Sequence, residues 1–166
     1  MDQRDETLRQ IRADVLTLFK LGRNRRRVAE HNEVASRELR KRGYDGPTIS
    51  VSAPGYLLLL GLGECEPCRV SDLAHNTVQD LSAVVRQVQT LERAGLVTRS
   101  SSPDDGRTVL ISRTAAGRDA LEVLEMTATE HIGQTVKAWG DGDVTQFAKL
   151  FSRFVQDSIA ATYEGV

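Results

Sequence analysis

Apolar side chains at Leu8, Ile11, Val15, Leu18 and Phe19 recur every three or four residues, the spacing of one face of a helix. The rhythm resumes at Val28, Val34, Ala35 and Leu39, with Gly22 between the runs and Gly43 and Gly46-Pro47 after them. Glycine and proline at those points favour an interruption and then a stop, and residues 44–54 read as a loop. Ser52 is placed to cap a short helix bearing Tyr56, Leu57 and Leu60. Pro54 falls in its first turn, where no intrahelical donor is needed, and Gly61 and Gly63 are expected to close it.

From Arg69 to Arg113 the rhythm changes three times. Ser71-Asp72-Leu73-Ala74 opens a short helix, turn residues follow, and Asp80 is positioned to cap a second helix through Leu81, Val84, Val88 and Leu91 to Ala94. Gly95 serves as its C-terminal cap. Residues 96–99 read as a strand, 100–106 as a polar turn and 108–112 as the returning strand. Two helices about a short turn followed by a hairpin make a helix-turn-helix with a wing.

Thr114 is expected to cap a long helix with the stripe Leu121, Leu124, Ala128, Ile132, Val136 and Trp139, stopped by Gly140. Asp143 and Gln146 form a capping box for a last helix carrying Phe147, Leu150, Phe151, Phe154, Val155 and Ile159. At ~1.5 Å per residue, a helix from Thr114 to Trp139 runs about 39 Å, past the ~30 Å breadth of a small lobe. Its stripe therefore needs a partner, and the first and last helices cannot hide all these stripes unaided. A second copy of the chain is the expected remainder. The fold class is mostly α with a small β-hairpin wing.

A chain of 166 residues, 40% apolar and 27% charged, suffices for one ordinary domain or a lobe with a helical appendage, and is unlike disordered or disulfide-scaffold sequences. No apolar run approaches the ~20 residues of a membrane span. The first six residues are acidic and polar where a secretory signal is basic and then apolar, so no membrane partner and a cytoplasmic location are expected. The net charge of −1 hides a gradient: residues 1–46 carry four more basic than acidic side chains, 47–118 balance, and 119–166 carry five more acidic than basic. An acidic C-terminal segment is a poor surface for phosphate, which leaves the middle of the chain as the candidate.

With Leu81, Val84, Val88 and Leu91 facing a core, the helix over 80–94 presents Ser82, Ala83, Arg86, Gln89 and Thr90 on its other side, flanked by Val85 and Gln87. Hydroxyls, amides and an arginine are the groups that read base edges in the major groove. An ordinary solvated face is the alternative, but such a face would carry Glu and Lys, and no acidic residue occurs from Leu81 to Thr90. Arg107, at the tip of the turn Ser102-Pro103-Asp104-Asp105-Gly106-Arg107, is placed to enter a narrow minor groove. Asp105 is expected to pair with an arginine, Arg99 on the opposite strand being the candidate, and so fix the wing. A plain Asp-Gly hairpin turn with an exposed arginine fits the same residues. Ser71 and Asp80, at the starts of the two helices, complete the candidate contacts.

Cys65-Glu66-Pro67-Cys68 can form a disulfide, respond to oxidants or supply half of a zinc site; structural packing is the plainer alternative. His31, His75 and His131 have no metal-like spacing, and Arg23 with Arg25-Arg26-Arg27 reads as a solvated basic face. No nucleotide loop, nucleophile elbow or carboxylate pair is visible, and Gly61-Leu62-Gly63 lacks the third glycine of a dinucleotide fingerprint. No enzyme activity, metal or cofactor is expected.

The segments Val70-Ser71-Asp72-Leu73-Ala74, Arg86 through Leu91-Glu92-Arg93-Ala94-Gly95-Leu96-Val97-Thr98-Arg99, Pro103-Asp104-Asp105-Gly106-Arg107 and Arg113-Thr114-Ala115-Ala116-Gly117 resemble, in order and spacing, the multiple antibiotic resistance regulator (MarR) family of bacterial repressors. The resemblance covers 70–117. It implies dimerisation helices over 1–46 and 114–166 around a winged helix-turn-helix DNA-binding lobe over 52–113. It also implies a major-groove helix from Asp80 to Ala94, a minor-groove contact from Arg107, and a homodimer on a near-palindromic double-stranded operator. A small aromatic or phenolic ligand near Tyr56 would release the DNA. A thiol- or metal-responsive regulator sensing through Cys65 and Cys68 is the alternative. Ser102 stands where many members have Asp, and Ala83 and Val85 where they carry Ser or Thr, which leaves the base preferences open. The segment from Gly43 to Pro54 is longer than usual for the family.

Overall fold

The computed structural model describes residues 2–22 and 25–163, so Arg23 of the basic run lies outside the described residues. The elements are α1 (Gln3–Gly22), α2 (Arg25–Lys41), α3 (Ala53–Cys65), β1 (Cys68–Arg69), α4 (Val70–Asn76), α5 (Leu81–Arg93), β2 (Val97–Ser101), β3 (Val109–Arg113), α6 (Ala115–Thr135) and α7 (Asp141–Tyr163). The chain divides into two compact units, residues 1–127 and 128–166. Arg26 of the basic run pairs with Glu30 one turn on, both exposed.

The core of the first unit lies where α3, α4, α5 and the sheet meet the start of α6. Leu58, Leu59, Leu62, Leu73, Val84, Val88, Leu91, Leu96, Ile111 and Val123 are fully buried there, joined by Leu39 from α2. The loop after α2 is fastened by polar side chains within the helix. The Asn32 amide donates to the Val51 carbonyl (2.9 Å) while its oxygen accepts from the Val51 amide (2.8 Å), and Ser36 Oγ accepts from the Ile49 amide. These bonds satisfy backbone groups that have no strand or helix partner.

Ser52 caps α3 by accepting from the Gly55 amide, as its position suggests. The helix then departs from expectation in two ways. Leu58, Leu59 and Leu62 face the core while Leu57 is exposed, and α3 runs through both glycines to Cys65. Gly61 does not stop it: a Cβ there would lie 2.6 Å from Thr77 Cγ2, so the glycine admits α4 at close range.

Three helix ends share one geometry. After α2, α4 and α5, the amides of Tyr44, Gln79 and Leu96 reach back to the carbonyls of Leu39, Ala74 and Leu91, and those of Gly43, Val78 and Gly95 to Arg40, His75 and Glu92. This is the Schellman pattern, which needs a left-handed residue. Gly43 and Gly95 take it freely, but at the helix-turn-helix corner the position is held by Val78, at φ 50° and 79% exposed. A β-branched residue is strained there by about 1–2 kcal/mol. Val78→Asn is therefore expected to raise stability by about 1 kcal/mol, since Asn tolerates this conformation, seen as a higher urea midpoint at unchanged slope.

The sheet has three antiparallel strands in the order β1-β3-β2. The hairpin registers Val97 with Arg113 and Ser101 with Val109, and β1 adds Cys68 opposite Ile111 and Arg69 opposite Leu110. That third strand, two residues long, is not anticipated by the sequence pattern.

Thr114 caps α6 through its hydroxyl, which accepts from the Gly117 amide and donates to the Gly95 carbonyl. The helix ends at Thr135 rather than Trp139, so it spans 21 residues and about 31 Å, which weakens the expectation of a long overhang. Residues 136–139 turn instead, with the Trp139 amide donating to the Val136 carbonyl. Trp139 packs edge-on against Phe147, centroids 5.4 Å apart, which holds the turn to α7. The capping box at Asp143 is also corrected. Helix α7 starts at Asp141, the Gly140 carbonyl accepts from the Asp143 and Val144 amides, and both aspartates lie in the first turn, where they favour the helix dipole.

Candidate nucleic-acid interface

Helix α5 is built as a rod with two unlike sides. Asp80 caps it, accepting from the Ser82 and Ala83 amides at 2.9 and 3.2 Å and from the Ser82 hydroxyl. Val84, Val88 and Leu91 point into the core, whereas Ser82, Val85, Arg86, Gln89 and Thr90 are exposed and Ala83 is half-buried. Leu81, the first residue of α5, is corrected from core to surface, 52% exposed. Arg86 and Gln89 make no side-chain hydrogen bond or ion pair among the described residues, and Thr90 Oγ1 donates to the Arg86 carbonyl.

Gln87 does not join this face. It is half-buried, and its Oε1 accepts from the Ser52 hydroxyl at 2.8 Å, so the α3 cap and the flank of α5 are tied together.

The wing also differs from expectation. Arg99 Nε donates to Glu92 Oε2 at 2.9 Å, binding strand β2 to the last turn of α5. Asp105 instead organises its own turn, accepting from the Arg107 amide (3.0 Å) and the Thr108 hydroxyl (2.8 Å). The Thr108 and Arg107 donors hold the Asp105 carboxyl below the usual range. The turn is therefore fixed locally, with the Arg107 side chain exposed and unpaired among the described residues at its tip.

Two cations at this surface escape sequence reasoning. Arg69 on β1, exposed, lies close enough to Asp105 to help hold that carboxyl ionised, and Arg93 is exposed in the last turn of α5. A two-residue strand has no periodicity to reveal the first, and the second follows directly on Glu92. Ser71 is exposed in the first turn of α4, its hydroxyl donating to Asp72.

The Ser82 hydroxyl and the Ala83 and Ser82 amides hold the Asp80 carboxyl below its ordinary value. Its stabilising contribution is complete above about pH 4, the unfolded carboxylate value, and is lost as pH falls through the lowered folded value. In Asp80→Asn the cap does not titrate. The gap in urea midpoint between the parent and this variant is therefore expected to narrow as pH is taken from 7 to 3.

Away from α5, Tyr56 is half-buried on α3, its phenol pushed up by burial and further by Glu125 of α6. Cys65 and Cys68 are free thiols with Sγ atoms 2.7 Å apart. Among the described residues no group of three Cys, His, Asp or Glu stands ready to hold a metal.

The MarR family model matches residues 51–109, which span α3 to the start of β3. YxaD of Bacillus subtilis (strain 168), an uncharacterized HTH-type transcriptional regulator, is 34% identical over 106 residues, 64% of this chain and 74% of its own. The chain belongs to the MarR family. Among solved structures, the MarR family transcription regulator SP03579 superposes with a TM-score of 0.67 over 95% of both chains at 17% identity. PcaV of Streptomyces coelicolor, solved with its natural ligand, does so with a TM-score of 0.52 over 79% of this chain and 96% of its own at 20% identity. This MarR-family chain is thus a transcription regulator with a winged-helix fold, and no described helix is long and apolar enough to cross a membrane.

Proposed function

We propose that the protein is a homodimeric repressor that binds a near-palindromic operator through α5 and the wing and is released by a small ligand. The observation that carries this reading is the outward face of α5, where Ser82, Arg86, Gln89 and Thr90 stand exposed with no carboxylate among them. In the major groove Arg86 forks onto a guanine and Gln89 onto an adenine, while Arg107 inserts into the flanking minor groove. Ser71 at the start of α4 is placed for backbone contact, as the first helix of such motifs crosses the sugar-phosphate chain.

Dimerisation is supported by two apolar stripes left open to water. On α1, Leu8, Ile11, Val15 and Leu18 are exposed, and on α7 so are Phe147, Leu150, Phe151, Phe154 and Ile159. Contiguous apolar surface of this kind marks an interface, and a second copy covers both stripes in a two-fold assembly. The half-buried Tyr56 phenol offers an aromatic ligand a stacking face and a hydrogen-bonding group.

Selection of bound sequences from random duplex DNA by the purified protein tests the reading. The expected product is a near palindrome with half-sites one helical turn apart, about 34–36 Å; recovery of no enriched sequence at low salt sinks it. Arg107→Ala is expected to weaken operator and random duplex alike and, with one cation fewer at the duplex, to release about one counterion fewer, which flattens the salt dependence accordingly, as read by fluorescence anisotropy between about 50 and 200 mM salt.

A further inference from the structure

Helix α5 keeps two large aliphatic side chains out of the core. Val84, Val88 and Leu91 fill its inward side and are buried, whereas Leu81 and Val85 stand 52% and 37% exposed. These two are four residues apart and Gln89 follows four residues on, so the three form one row along an edge of the outward face. Gln87, tied to Ser52 at the cap of α3, lies on the opposite edge. The carboxylates nearest the row are both occupied within the fold. Asp80 Oδ1 accepts from the Ser82 and Ala83 amides and from the Ser82 hydroxyl, and Glu92 Oε2 accepts from Arg99. The edge is therefore apolar beside the Arg86 guanidinium, with no acidic residue between Leu81 and Thr90.

We infer that Leu81 and Val85 read thymine methyl groups, so that each half-site of the bound duplex carries thymidines where these two side chains meet it. The inference rests on the DNA-binding face proposed above and adds the class of base that its apolar edge selects. In the major groove the one sizeable apolar group on a base edge is the C5-methyl of thymine, among donors and acceptors. A side chain with neither donor nor acceptor gains contact energy only from that methyl. Set against cytosine, the same side chain covers an amino donor and offers it no partner, which costs affinity. Both residues lie in the first two turns of α5, the part of a reading helix whose side chains reach base edges. Successive members of the row are about 6 Å apart along the axis, nearly two base-pair steps of about 3.4 Å, so each meets a base pair of its own.

The test starts from the sequence recovered by selection from random duplex DNA and replaces thymidine with deoxyuridine at one half-site position at a time. That change deletes the methyl and keeps every hydrogen-bonding group of the base. The full-length parent is expected to bind about fourfold more weakly when either of two thymidines in a half-site is replaced, which is what one buried methyl is worth. Leu81→Ala is expected to abolish the preference at one of these positions, Val85→Ala at the other, and the double variant at both. Each preference is a ratio measured on one protein, so a change in folded fraction cancels from it. Light scattering is expected to give the double variant the mass of the parent. The inference is overturned by a half-site without enriched thymidine, by deoxyuridine bound as tightly as thymidine at every position, or by a preference that survives in the double variant. A double variant of lower mass also overturns it, because the row then belongs to a contact between copies of the chain. A selection that enriches no sequence at low salt sinks the DNA-binding reading and this one together, whereas an enriched sequence indifferent to the methyl sinks this one alone.

Discussion

Replacing Arg86 with alanine is expected to flatten sequence preference while leaving the fold intact. The side chain is exposed on α5 and makes no hydrogen bond or ion pair among the described residues, so its removal breaks no contact within the fold and only slightly weakens the field that keeps Asp80 ionised. A bidentate arginine on guanine is worth about 1–3 kcal/mol of base discrimination. The ratio of operator to random-duplex affinity should accordingly fall by about ten- to hundredfold, with most of the loss on the operator side. Urea midpoints measured alongside should match the parent. A variant that discriminates as well as the parent would show that another surface does the reading.

Gly117→Ala is expected to act in the opposite sphere, on stability. Gly117 is buried in the first turn of α6, and a Cβ there would overlap the carbonyl of Leu96. That carbonyl is backbone, already engaged by the Thr114 amide, and cannot swing aside as a side-chain tip would. Forcing an atom into such a contact costs about 1–3 kcal/mol or more, so the denaturation midpoint should drop sharply. Gly133→Ala provides the contrast within the same helix: its Cβ would meet nothing within 4 Å, and removing a helical glycine stabilises by about 0.5–1 kcal/mol. Equal midpoints for the two variants would discard this account of the α5–β2–α6 corner.

The features legible in the sequence were those decided by a few neighbouring residues. The caps at Ser52, Asp80 and Thr114 and the stop at Gly95 follow from local hydrogen-bonding chemistry, and the structure has each of them. The phase of α3 was not legible, because Tyr56 to Leu60 is an unbroken apolar run with no polar position to say which side faces out. Gly61 was misjudged since a glycine at a close helix contact looks, in sequence, like a terminator. The sidedness of α5 is readable from its pattern, but the partners of Gln87, Arg99 and Asp105 are not. Their partners are set by tertiary approach: Ser52 lies 35 residues before Gln87, and Glu92 competes for Arg99 from another element. The ion pair of Glu66 with Arg113 spans 47 residues and leaves no local trace.

The loop between α2 and α3 grips α5 at two points. Ser52 holds Gln87 on its flank, and the Tyr44 hydroxyl donates at 2.6 Å to the Ala94 carbonyl at its far end. The same loop is pinned to α2 through Asn32 and Ser36. Helix α2 is thereby a handle on α5: a push that tilts it is delivered to both grips together, turning the rod as a piece instead of bending it, and a swing of the rod is felt back along the same lever.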